Sequence, residues 1–327
     1  MARSAGPHVP VGALETGYER MMTESKLVEG KVALVTGAGR GIGAAVAKLL
    51  ADHGARILVN DLGGSESGEG RDRAPAMETV NAIREVGGEA EANFDSVGDT
   101  RAARGMIEQA IDCFGGLDIV VNNAGIVRDV IFHKMSEDDW DAVMNVHLKG
   151  SFNISSAGAG HFRKQESGCF VHMTSTSGLV GNLGQANYAA AKLGIVGLSK
   201  SIALDMSRFN VRSNCVAPFA WSRLIGSIPV NNDAQRARVE KLKRMTPEKI
   251  APVVVALASD AASDVTGQIF AVRNNEVFLI GQNRPLRGIQ ESAGWTPSGV
   301  IGHAFPALRN DFYPLHSSAD VFSWDPV

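Results

Sequence analysis

One stretch limits the possible folds more than any other: KVALVTGAGRGIGAAVAKLLADHGARILVND, at 31–61. An apolar run at 32–35 meets a glycine-rich turn. Ile42, Val46, Leu49 and Leu50 then recur at helical spacing, and a second apolar run at 57–59 ends in Asp61. Strand, helix and strand in that order form a crossover unit, whose two strands can pair only in parallel. The alternation continues, with helices predicted over 76–86 and 100–114 and strands over 90–94 and 119–121. A long helix over 136–162 takes Ser136 as its N-cap; a strand at 169–173, a helix to about 209 and a strand at 211–216 follow. A helix over 246–259, kinked at Pro252, and a last strand at 268–272 complete the series. Strands alternating with helices predict a doubly wound α/β fold of about seven parallel strands.

That fold is expected over residues 29–275, between an N-terminal arm (1–28) and a C-terminal extension (276–327). Residues 13–22 offer the arm a short helix that would pack on a neighbouring subunit. The extension carries Pro285, Pro297, Pro306 and Pro314, which interrupt any helix. It also carries Trp295, Phe305, Phe312, Tyr313, Phe322 and Trp324, too many aromatics for a disordered end. It is expected to pack over the substrate mouth or across a subunit interface.

Composition excludes several function classes. With 32 basic and 35 acidic residues among 327 and no long basic run, nucleic acid is not the expected partner. The 3 cysteines and 8 histidines show no metal-ligand spacing, and unpaired thiols suit a reducing compartment. No apolar run reaches the ~18 residues of a membrane span. The first residues lack a secretory h-region and the last three, Asp325, Pro326 and Val327, are not a peroxisomal address, so the cytoplasm is expected.

Gly37, Gly41 and Gly43 stand between the first strand and helix, where absent Cβ atoms let a pyrophosphate approach free helix N–H groups. Asp61 ends the second strand, where a carboxylate accepts from ribose hydroxyls and repels a 2′-phosphate at ~4 Å by about 4 kcal/mol at an effective dielectric of ~20. Arg40 pulls the other way, toward NADP, but NAD is favoured because Asp61 occupies the ribose position itself. The polar loop 62–75 is read as a surface excursion near the adenosine end. Asp95 and Ser96 follow the third strand, at the adenine. Asn122, Asn123, Ala124 and Gly125 follow the fourth, at the edge where such sheets bind ligands. Turn and capping roles explain each of these residues taken alone.

Farther along, Tyr188 and Lys192 stand four apart on a predicted helix, on one face and about 6 Å from each other. A tyrosine useful as a base near neutrality needs its pKa lowered by roughly three pH units, about 4 kcal/mol. A unit positive charge ~5 Å away supplies about 3 kcal/mol at an effective dielectric of ~20. Lys192 is therefore expected to lower the Tyr188 pKa, although an isolated pair at this spacing is more often packing and surface.

Four motifs in order carry a resemblance: TGAGRGIG at 36–43, NNAG at 122–125, Ser175, and Tyr188 with Lys192. Over residues 30–275 the chain resembles the short-chain dehydrogenase/reductases. NDLGGSESGEG (60–70), NVHLKGSF (145–152) and GNLGQANYAAAKLG (181–194) narrow the likeness further. They resemble the (3R)-hydroxyacyl-CoA dehydrogenase region of peroxisomal multifunctional enzyme type 2 and single-domain relatives in sterol side-chain breakdown. The resemblance implies a Rossmann-type sheet and hydride transfer between a secondary alcohol and nicotinamide. In it Tyr188 takes the proton, Lys192 lowers its pKa and holds the nicotinamide ribose, and Ser175 bonds the substrate oxygen. Ile42, Leu62 and Pro218 join the glycine turn, Asp61, Asp95, Ser96 and 122–125 in holding NAD, with NADP as the alternative.

The chain departs from the family in three places. His147 stands where the family places an asparagine, so a proton relay there would run through imidazole or water, unless the residue is simply a histidine packed on its helix. Phe219 replaces a glycine after Pro218, with Ala220 and Trp221 next, and Asn274-Asn275 replaces a Gly-Gly pair while still able to reach positive φ. The expected substrate is a 3-hydroxyacyl-CoA, with a hydroxysteroid or cyclic alcohol as the alternative and a non-catalytic dinucleotide-binding scaffold as the remote one. Arg223, Arg236, Arg238, Lys241, Lys243 and Arg244 offer a CoA phosphate site or an ordinary solvated face. Gly194 and Gly197 allow close approach of a second subunit, for a homodimer or homotetramer, or close packing within the chain.

Overall fold

The computed structural model describes residues 26–220 and 242–327. The expected helix at 13–22, Trp221, and the basic residues Arg223, Arg236, Arg238 and Lys241 lie outside them. The sheet has eight strands in the order β3-β2-β1-β4-β5-β6-β7-β8: β1 Val32–Thr36, β2 Arg56–Asn60, β3 Ala90–Asn93, β4 Ile119–Asn122, β5 Gly168–Met173, β6 Val211–Phe219, β7 Ile269–Arg273 and β8 Glu276–Leu279. The first seven pair in parallel. Helices α1 (Gly41–Asp52), α2 (Ala74–Glu85) and α3 (Thr100–Phe114) follow the first three strands. Between β4 and β5, α4 (Glu137–Met144) and α5 (Gly150–Gln165) are joined by a π-helical turn, Asn145–Lys149. The short α6 (Thr176–Leu179) and the long α7 (Ala186–Met206) precede β6, and α8 (Ala251–Ala258) precedes β7.

Strands covered on both faces are apolar nearly throughout. In β1, Ala33 and Val35 face one core with Val46, Leu50, Ile83 and Val254. Val32 and Leu34 face the other with Met106, Ile107, Ile154 and Phe162. The strand period of two divides them. Phe162 and Phe170, both fully buried, meet with ring centroids 4.8 Å apart.

The expected parallel sheet is present, and three other expectations, on a helix, a proline and the arm, are corrected. Beyond the seven parallel strands, Asn274 adopts φ +54° and, with Asn275, turns the chain into an eighth, antiparallel strand, β8. The helix expected over 136–162 starts at the Ser136 capping box but carries the π turn, which aims His147 inward. Pro252 lies in the first turn of α8 after a 3-10 turn at Pro247–Lys249, so it starts a helix instead of kinking one. Val28, placed in the arm, is fully buried in the core with its N–H on the His53 carbonyl at 3.2 Å. The loop between β2 and α2 runs over the surface, as expected, and is tied down where the Glu66 carbonyl accepts from Val127 N–H at 3.0 Å.

The extension packs on the body. Phe322 lies against Phe219 (4.9 Å) and Phe278 (5.4 Å), and the Ser318 N–H donates to the Gly181 carbonyl at 2.9 Å. The buried Arg273–Glu276 ion pair anchors it, with Trp324 Nε1 donating to Glu276 at 2.7 Å.

Candidate active site

The site is assembled at the carboxyl ends of β1, β4 and β5. Thr36 closes β1, and its hydroxyl accepts the N–H groups of Asn123 (3.0 Å) and Ala124 (3.1 Å). Asn123 Nδ2 donates to the Thr36 and Gly37 carbonyls, each at 2.9 Å. The NNAG segment and the glycine turn are thus one hydrogen-bonded body. Gly37 has φ +63°, and a Cβ there would stand 2.7 Å from Ala124 Cα, so no side chain fits. Helix α1 starts at Gly41 with no side-chain cap, and nothing lies within 4 Å of the missing Gly41 Cβ. N–H groups at a helix start without a side-chain cap, beside glycines, fit a pyrophosphate. Ile42 is half-buried against the core and Arg40 is exposed.

Asp61 accepts Gly39 N–H on Oδ2 (2.8 Å) and Gly63 N–H on Oδ1 (2.7 Å), bracing the turn and the following loop. The Leu62 carbonyl accepts Asp72 N–H at 3.2 Å. Asp95 is exposed and accepts from Asn93 Nδ2 at 3.1 Å, and Ser96 Oγ accepts Gly98 N–H at 3.3 Å, so both side chains serve their own turn. Pro218 lies in register with Val272 near the end of β6. Asn122, expected at the cofactor, instead turns its side chain into the protein. There its Nδ2 meets Ser155 Oγ at 2.9 Å and His172 Nδ1 at 3.2 Å.

Ser175 caps α6, its hydroxyl accepting Ser177 N–H at 3.1 Å, and stands near enough to Tyr188 to favour the ionised phenol. Lys192 Nζ lies 5.5 Å from the Tyr188 ring centroid and donates to the Met173 carbonyl at 2.7 Å. His147 meets the Tyr188 ring edge-on at 5.2 Å. Its Nε2 is 2.7 Å from the Ile126 carbonyl and 3.1 Å from the Ile126 N–H. One tautomer satisfies only one of these; the shorter contact assigns the proton to Nε2 and leaves Nδ1 a buried acceptor without a partner among the described residues. A Cβ on Gly125 would collide with this ring, so the glycine makes room for the histidine.

The electrostatics overturn one expectation. Lys192, 4% exposed, is lowered by burial from 10.5 to about 7, so its charge is only partly present at neutrality. Tyr188 is raised above 10 by burial, with the Ser175 hydrogen bond the main opposing effect. In the protein by itself burial dominates at Tyr188, while the Lys192 ammonium is turned to the Met173 carbonyl. His147 falls to about 3, through burial first and the Lys192 charge second, so any relay through it uses neutral imidazole.

Sequence reasoning missed Thr36, the buried His172, Asn187 and Arg128. Asn187 holds the Arg128 (3.1 Å) and Asp139 (3.0 Å) carbonyls and accepts Tyr188 N–H at 2.7 Å. Only its place beside the tyrosine signalled it. Gly194 faces Leu148 of its own chain, whereas the place of a Gly197 Cβ is open.

The short chain dehydrogenase family matches residues 31–222. The chain belongs to this family. As a short chain dehydrogenase it is an oxidoreductase acting on CH–OH groups. It is 35% identical over 323 residues to the hydroxyacyl-CoA dehydrogenase ChsB1 of Mycobacterium tuberculosis, covering 94% of this chain and 96% of that one. It is 43% identical over 274 residues to the mouse peroxisomal multifunctional enzyme type 2, covering 83% of this chain. The match spans 36% of the mouse enzyme's length. A crystal structure of a short chain dehydrogenase from Mycobacterium avium superposes with TM-score 0.77 at 36% identity, covering 89% of this chain and 98% of that one. Among the described residues no helix is long and apolar enough to cross a membrane.

Proposed function

We propose that this dehydrogenase oxidises a 3-hydroxyacyl-CoA to the 3-oxoacyl-CoA with NAD. The observation that carries the reading is the meeting of Ser175, Tyr188, Lys192 and His147 at the sheet edge that also bears the uncapped glycine turn. The end-to-end match to a hydroxyacyl-CoA dehydrogenase supports the substrate class. Asp61 supports NAD over NADP, since its carboxylate is fixed at the ribose end by two amides while Arg40 is exposed. A bound nicotinamide supplies the hydride acceptor and, when oxidised, a positive charge. Tyr188 takes the hydroxyl proton, Ser175 orients the substrate oxygen, and Lys192 holds the ribose. General acid–base help of this kind is worth ~10²–10⁴ in rate.

The aromatic group of Phe219, Phe322 and Phe278 at the end of β6 favours a second reading, a hydroxysteroid or cyclic alcohol. A second copy of the chain is the expected partner, in a homodimer or homotetramer. An open groove of about 1000 Å³, where Met144, Leu148, Phe152 and Leu198 lie among Arg128, Asp138, Asp141 and Lys149, supports it, with Phe152 51% exposed. The unpaired cysteines suit the cytoplasm.

NADH formation read by absorbance against a panel of acyl-CoA and sterol alcohols tests the substrate class. NAD binding with no turnover on any alcohol would leave only the scaffold reading. Tyr188→Phe is expected to keep NADH binding and lose turnover by at least ~10²; near-normal turnover refutes the assignment.

A further inference from the structure

The loop at residues 62–72 leaves β2, yet it is bonded to the segment that follows β4. In the sheet, β1 stands between those two strands, so the loop has to cross the carboxyl end of β1, directly over the crevice beside the glycine turn. At the far side Val127 N–H donates to the Glu66 carbonyl at 3.0 Å, and Arg128 Nε donates to the Ser67 carbonyl at 3.1 Å. Gly68, at φ +88°, lies so near Ile126 that a Cβ would stand 3.1 Å from its Cδ1.

The loop is braced internally, by Ser65 N–H to the Glu69 carbonyl (2.8 Å) and Asp72 N–H to the Leu62 carbonyl (3.2 Å), and at its root by Asp61. None of its residues belongs to either large core cluster, and residues 65, 66 and 68–70 are exposed. A segment with so little buried apolar surface, held by a few hydrogen bonds, opens far more easily than the sheet beneath it. On the other side of the junction, the Arg128 carbonyl is held by Asn187, which also holds Tyr188 N–H. An unbroken chain of contacts therefore runs from Asp61 through the loop to Arg128, Asn187 and Tyr188.

We propose that residues 62–72 and Ile126–Arg128 form a clasp over the dinucleotide, and that Arg128 and Asn187 are positioning residues linking cofactor seating to Tyr188. The proposal rests on the dinucleotide reading above. The cofactor enters and leaves by opening the clasp, so its dissociation is slowed by the Arg128–Ser67 and Val127–Glu66 contacts. Gly68 is the position where a side chain would be strained, by its φ of +88°, and would press on Ile126.

The test uses the full chain and NADH fluorescence. Arg128→Ala and, independently, Gly68→Val are expected to raise the NADH dissociation rate about tenfold in stopped flow. The Arg128→Lys variant, which keeps one donor, is expected to fall between Arg128→Ala and wild type. A slower hydrogen exchange of the Val127 amide on adding NADH is expected in wild type and lost in Gly68→Val. Folded variants whose NADH release stays within twofold of wild type overturn the clasp. Wild-type protein that binds no NADH overturns the dinucleotide reading instead, so the two failures are distinct.

Discussion

Lys192→Met should stabilise the fold while removing its chemistry. A lysine that titrates near 7 when folded and near 10.5 when unfolded leaves the unfolded chain holding more protons across that interval. Stability contributed at this position therefore rises with pH between the two values, and the whole penalty is present below 7. At about 1.4 kcal/mol per pH unit the penalty amounts to about 5 kcal/mol. Methionine avoids that penalty and fills the stem of the site, but leaves the Met173 carbonyl without the partner it has at 2.7 Å. That loss costs about 1–3 kcal/mol, so the net gain at pH 6 is about 2–4 kcal/mol. Above pH 10.5 the gain disappears and the sign reverses, because only the lost hydrogen bond remains. Urea unfolding of both proteins at pH 6, 8 and 10.5, beside NADH-coupled turnover, reads this directly. A variant less stable than wild type at pH 6, or a difference that ignores pH, would show that burial does not set the lysine's charge.

Two other expectations follow from the same site. Asn123→Ala strips partners from the Thr36 and Gly37 carbonyls and should cost about 2–4 kcal/mol; thermal unfolding with an NADH titration checks it, and both stability and binding should fall. His147 and His172 are each held near 3 by burial first and by Lys192 second. The unfolded chain then binds more protons between about 3 and 6.5, and stability should fall as pH drops below 6.5, by up to about 2.7 kcal/mol per pH unit. His172→Gln should halve that slope in urea unfolding at pH 7, 6 and 5, and an unchanged slope would exonerate the histidine.

Local chemistry made some parts of the molecule legible in the sequence and not others. The helix Thr100–Phe114 was readable to the residue because Asp99 caps its start, accepting the N–H groups of Arg101 and Ala102, and Gly115 ends it at φ +82°. The glycine turn was readable because only absent side chains permit the approach at Gly37. The eighth strand was hidden, since two asparagines end an element as readily as they turn one, and its four residues are too few to show a period of their own. The π turn at Asn145–Lys149 has no spacing of its own, so the inward aim of His147 came only from the fold. Sequence spacing put the lysine near the tyrosine, but could not say that Nζ would turn to the Met173 carbonyl or that burial would govern both groups. Asn122 lies in a motif where Asn123 and Ala124 brace the glycine turn, and only strand alternation sends it to the opposite face.

The short outer strands of the sheet have a further consequence. β3 and β8 run for only four residues each, Ala90–Asn93 and Glu276–Leu279. An outermost strand is a template on which a foreign chain can polymerise, and its danger grows with the number of backbone groups left open. Here either rim offers an intruder just a couple of bonds before it runs out, so a wide sheet rich in valine and isoleucine is guarded against fibrous growth by brevity at its margins.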